Sequence, residues 1–81
     1  MEAGLLSGTI RLNLELANPK VTDYDLWRVL KLVGMESVVR GFSQQLDTVV
    51  GERGVGMSGG QAQCISLARA YLKPSEMLFL D

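Results

Sequence analysis

The 81-residue chain contains no histidine. That excludes a Ser–His or Cys–His nucleophilic pair and any imidazole-based metal site within it. Cys64 is the one cysteine, so no disulfide can form inside the chain, a usage compatible with a reducing compartment. Charge of either sign is scarce in excess. The net value of -1 offers no pull towards nucleic acid or anionic lipid, and no nucleic-acid partner is expected. No apolar run approaches the roughly 18 residues of a membrane span. The start, Met1-Glu2-Ala3-Gly4, lacks the basic region of a secretory signal. The expectation is a chain soluble in itself, unless a partner carries it to a membrane. Its length allows one small domain, and chains of this size bury only about 60% of their unfolded surface. The 47% hydrophobic content is globular rather than disordered, but stability of the piece alone should be marginal.

Glycine, by contrast, is concentrated. Five of the nine glycines lie between Gly51 and Gly60, and directly after them the pattern turns helical. Gln61, Ile65, Ala68 and Leu72 recur at three- and four-residue spacing, with no proline before Pro74. Ser58 stands where an N-cap belongs, and Gly59 and Gly60 remove side chains that would hold a ligand away from the first-turn amides. The helix dipole adds roughly half a positive charge at that end. Phosphate is the obvious ligand for such a place. Many helices nevertheless begin with Ser-Gly and bind nothing.

Elsewhere the pattern reads as scaffold. Ile10, Leu12, Leu14 and Leu16 fit a strand by alternation, or a short helix capped by Ser7 or Thr9 and ending at Asn18-Pro19. Thr22 caps the best-defined helix, whose first turn carries Asp23 and Asp25 and whose apolar stripe is Leu26, Val29, Leu30 and Val33. Arg28 and Lys31 should face out, with Tyr24 and Trp27 at the stripe's edge and Gly34 as the stop. A shorter helix is expected from Glu36 to Phe42, with Val38, Val39 and Phe42 inward. Residues 45–54 read as a turn-rich loop with the apolar pair Val49-Val50. After a break at Lys73-Pro74-Ser75, Met77-Leu78-Phe79-Leu80 has the continuous hydrophobicity of a buried parallel strand, with Asp81 at its carboxyl end.

Three of these segments are linked. Met57-Ser58-Gly59-Gly60-Gln61, then Leu67-Ala68-Arg69-Ala70, then Met77-Leu78-Phe79-Leu80-Asp81 closely resemble the signature motif, signature helix and Walker B strand of an ATP-binding-cassette ATPase, in order and in spacing. Leu-Leu-Ser-Gly-Thr-Ile-Arg-x-Asn-Leu at 5–14 resembles the segment after the Q-loop of exporter-type cassettes, where a short helix begins. Residues 45–54 resemble the X-loop, which touches the coupling helices of a transmembrane domain. Glu52 and Arg53 match it, whereas Val49 stands where many members carry glutamate.

The resemblance implies a mainly α fold: the helical subdomain of a P-loop-type α/β ATPase over residues 1–74, and a terminal β-strand of the catalytic core over 75–81. It implies ATP and Mg²⁺ as ligands. Ser58, Gly59, Gly60 and Gln61 would bind ATP, with Ser58 on the γ-phosphate, and Asp81 would help hold the metal, usually through water. Glu52 and Arg53 would form the coupling interface. The implied partners are a second nucleotide-binding domain, paired head to tail, and the transmembrane domain of an exporter at the cytoplasmic face of the inner membrane. Phosphoryl transfer also needs a phosphate loop with its lysine. No G-x-x-x-x-G-K-[ST] occurs here, and the sequence ends one residue before the family's general-base glutamate. The chain alone is therefore expected to be inactive. A truncated or degenerate remnant, at most a binding module for an intact cassette, is the alternative. Cys64 replaces a common arginine, so that arginine's contacts cannot be carried over. Gly60-Gln61-Ala62-Gln63, with residues 68–74, looks most like thiol exporters linked to cytochrome bd assembly.

Overall fold

A computed structural model of the chain describes residues 6–51 and 54–77. The order is β1 (Gly8–Thr9), α1 (Ile10–Glu15), α2 (Asp23–Leu32), α3 (Glu36–Gly41), a 3-10 turn (Gln45–Asp47), β2 (Val49–Val50), α4 (Gly59–Leu72) and α5 (Pro74–Met77). It is mainly helical, as expected. Helices α1 and α2 both pack on α4. The core between them is Ile10 and Leu14 from α1, Leu26, Val29 and Leu30 from α2, and Ile65, Ala68 and Leu72 from α4, all fully buried. Met35, Val39, Leu46 and Val50 close its far side.

The ambiguity over residues 10–16 resolves as helix, with Thr9 as its cap accepting from the Leu12 amide at 2.9 Å. The same segment also has a strand: Gly8 and Thr9 pair antiparallel with Val50 and Val49. The apolar pair expected to lie in a loop is thus half of a two-stranded sheet, with Val50 in the core and Val49 exposed. A two-residue strand has too short a pattern to be seen in sequence. Helix α2 begins and ends as its residues require. Thr22 and Asp25 form a reciprocal capping box. At the other end Gly34 takes φ +79°, its amide donates to the Lys31 carbonyl and the Met35 amide to the Leu30 carbonyl. This is a Schellman closure, and it buries Met35. Helix α3 ends one residue short of the expectation, with Phe42 as its cap. Val39 is buried, while Val38 and Phe42 are half-buried against the core.

At the C-terminal end the described residues differ from the expected bounds. Residues 74–77 form a helical turn rather than the first part of a strand over 75–81. Pro74 supplies a helical φ at the first position, and the Lys73 carbonyl accepts from the amides of Glu76 and Met77. Leu78, Phe79, Leu80 and Asp81 lie outside the described residues.

Candidate functional site at the start of the long helix

The long helix α4 starts as its sequence directs. Ser58 has extended backbone (φ -63°, ψ 161°), and its Oγ accepts from the Gln61 amide at 3.0 Å. The Gln61 side-chain carbonyl accepts from the Ser58 amide, also at 3.0 Å. This reciprocal box ties down the turn. It also gives Gln61 a different place from the helical stripe expected of it. Gln61 is half-buried and caps, while Ile65, Ala68 and Leu72 form the buried face. Met57, just before the cap, is half-buried against the core and anchors the chain's entry.

The cap leaves donors available. A hydroxyl has one proton and two lone pairs, so Ser58 can accept from Gln61 and still donate outward. The Gly59 and Gly60 amides are the first two of the helix, with no carbonyl a turn earlier to receive them. Ser58, Gly59 and Gly60 are all exposed. A Cβ added at Gly59 would meet nothing within 4 Å, and one at Gly60 only Ser58 Oγ at 4.0 Å. Nothing in this chain's own packing demands glycine at either position. What they provide is close access to amides.

The five clustered glycines therefore divide. Gly56 likewise has open space around it, whereas Gly51 and Gly54 are structural. Gly51 has φ +95° and lies against the Ser7 backbone. A Cβ at Gly54 would stand 2.0 Å from the Val49 carbonyl oxygen, because the loop folds back so that the Val55 amide donates to that same oxygen at 2.9 Å. Sequence showed the five as one cluster; the tertiary approach shows what holds Gly51 and Gly54 in place.

Beside this loop lies an open groove of about 510 Å³, lined in part by Phe42, Thr48, Val49, Gly54 and Val55. Val49 and Val55 are exposed there. Glu52 and Arg53, the expected coupling pair, lie outside the described residues, as does Asp81, the expected metal ligand. Among the described residues no cluster of three metal-ligating side chains occurs, and no helix is long and apolar enough to cross a membrane. Cys64 is half-buried against the core, so an arginine there would have to run its stem along the core's edge.

Two contributors went unnoticed in the sequence. Asn13 is fully buried, accepts from the Leu6 amide at 2.7 Å and donates to the carbonyls of Leu6 and Thr9, each at 2.9 Å. Arg11 sends Nε to Asp47 Oδ1 at 3.0 Å and its two terminal nitrogens to the Asp23 carboxylate. The hydrogen bonds from Arg11 hold the Asp23 carboxyl below the usual carboxylate range, against a smaller opposing effect of desolvation. Pairing with both acids also raises the Arg11 guanidinium above its ordinary value. Spacing along α1 gives no sign of which acids its arginine will find.

Comparison with known proteins supplies the family. The family described as "ABC transporter" matches residues 4–81. A multidrug resistance ABC transporter ATP-binding and permease protein of Lactococcus lactis subsp. cremoris is 46% identical over 81 residues, covering 99% of this chain and 14% of the relative. An export ATP-binding/permease protein of Rickettsia typhi is 39% identical over 80 residues, with 99% and 14% covered. ABC transporter B family member 4 of Dictyostelium discoideum is 40% identical over 80 residues, with 99% and 10% covered. The chain thus spans about a seventh or less of the length of these relatives. The chain belongs to the ABC transporter family, and its residues are those of an exporter-type nucleotide-binding domain.

Proposed function

We propose that the Ser58–Gln61 end of α4 is the phosphate-closing half of a shared ATP site in an exporter. It would close on the γ-phosphate of ATP held by the phosphate loop of a second cassette, paired head to tail. One observation carries this reading: the cap uses Ser58 only as an acceptor, leaving its proton next to two exposed first-turn glycines whose Cβ positions are open. Ser58 donates to a γ-phosphate oxygen, and the Gly59 and Gly60 amides add two further donors aligned with the helix dipole. Such donors, fixed before the reaction, stabilise charge on the transferring group without reorganising. Mg²⁺ would neutralise phosphate charge. Asp81 is the residue proposed to help hold it.

The loop at 48–55 is proposed to meet the transmembrane domain, with Glu52 and Arg53 at the contact. The groove with exposed Val49 and Val55 supports that reading, since it offers an apolar seat next to the loop. The domain would then sit at the cytoplasmic face of the membrane. A thiol exporter is the narrower proposal; it rests on Gly60-Gln61-Ala62-Gln63 and residues 68–74 and is tested by thiol uptake into inverted vesicles.

Ser58→Asp in the full-length protein tests the phosphate reading. Aspartate is as good an N-cap as serine and suits the dipole, so melting temperature should hold or rise. Its charge faces a phosphate, so ATP turnover should fall at least about tenfold, the loss of one charge-stabilising contact. Unchanged turnover would leave Ser58 as a cap only. A full-length protein without ATPase activity before any substitution would favour the inactive remnant.

A further inference from the structure

The two short strands are the visible part of a longer seam. Gly8 pairs with Val50 and Thr9 with Val49. The next residue continues the register, as the Ile10 amide donates to the Thr48 carbonyl at 3.0 Å. Arg11 then meets Asp47 through its side chain. Four consecutive residues of one segment thus face four consecutive residues of the other, running past the sheet into the first turn of α1. Beyond the seam, the same guanidinium reaches Asp23 at the start of α2. One planar fork takes carboxylates from two separate elements, gripping Asp23 with both terminal nitrogens, a paired contact that a lysine ammonium cannot reproduce. The Arg11 side chain is 28% exposed against about 60% for each acid, so its stem lies along the protein and only the ion pairs face water.

The seam is well placed to matter. Its far end is Val49-Val50, after which the loop turns back to a bridge between Val50 and Val55. Only Gly56 and Met57 separate that bridge from Ser58. The short connector is held on one side by the seam and on the other by the Ser58–Gln61 box. Helix α1, which carries Arg11, also packs directly on α4.

We infer that Arg11 is a positioning residue: by clasping Asp47 and Asp23 it locks β2, and the Val50–Val55 bridge beside it, to the helical unit and so sets where Ser58 meets its phosphate. The inference rests on the function proposed above.

The test is a double-mutant cycle in the full-length protein with Arg11→Gln, Asp47→Asn and both, alongside Arg11→Lys. Exchange of the Ile10 and Val55 amides should quicken about two- to fivefold in each single variant, the scale of an exposed ion pair. The double variant should be no faster than the singles, with Arg11→Lys in between. ATP turnover should fall while KM for ATP stays, and melting temperature should change little. Equal exchange in all variants, or additive effects in the double, would overturn the clasp. Quickened exchange with unchanged turnover would overturn its positioning role. The Ser58→Asp result is separate: if that variant keeps full turnover while exchange quickens as expected, the phosphate reading fails and the clasp stands.

Discussion

Gly60 is where the residue scale separates folding from function. Its surroundings are open, so alanine fits without a clash. Glycine inside a helix costs about 0.5–1 kcal/mol relative to alanine. Gly60→Ala should therefore stabilise α4 by up to that amount. On the phosphate reading the new methyl stands between the ligand and the first amides, and turnover should fall severalfold or more. Thermal melting and ATPase assay of the full-length variant give the two halves of the answer. A gain in stability with no loss of turnover would show that Gly60 has no close ligand. The aspartate at 23 argues at the same scale about acid. Its carboxyl is held low by Arg11, so the folded pKa lies below the unfolded value of about 3.9. That contribution is fully present above the unfolded value and is lost as pH falls through the folded one. Denaturant titrations from about pH 6 to about pH 3 should show a smaller acid loss for Asp23→Asn than for the natural sequence.

Among the elements, α1 depends most on a single polar side chain. Asn13 satisfies three backbone groups around the turn that leads into the helix, and it does so while fully buried. Asn13→Leu keeps the branched shape but strands those groups, at an expected cost of about 1–3 kcal/mol. The shift should appear in the denaturation midpoint, and amide exchange at Leu6 should quicken. Helix α2 contrasts with this. Its Thr22 cap, acidic first turn and Gly34 stop are all local, and each was legible from residue type and spacing, while the return bond to Asp25 that completes the box came from the structure. Tyr24 and Trp27 were placed together at the edge of its stripe, but they part company. Tyr24 is exposed beneath Arg28, while Trp27 is half-buried with the Arg40 guanidinium 3.9 Å from its ring. The difference comes from α3, which supplies Arg40 to one side of α2 only.

For the whole molecule, the sequence by itself determined the helices with strong local signals, the cap at Ser58, and the family through three motifs in fixed order. Those are properties of residue type at short separation, where an N-cap or a helical stripe acts within one or two turns. The tertiary structure decided what depends on distant approach. It resolved residues 10–15 as helix, since burial of Ile10 and Leu14 against α4 selects that periodicity over alternation. It drew Gly8-Thr9 onto Val49-Val50, and sorted Gly51 and Gly54 from Gly59 and Gly60 by what stands next to each. It also brought Arg11 to two acids that lie 12 and 36 residues away along the chain. Contacts of that separation are set by how the helices stack, and hydrophobic spacing along one helix carries no record of which polar groups will meet across the stack.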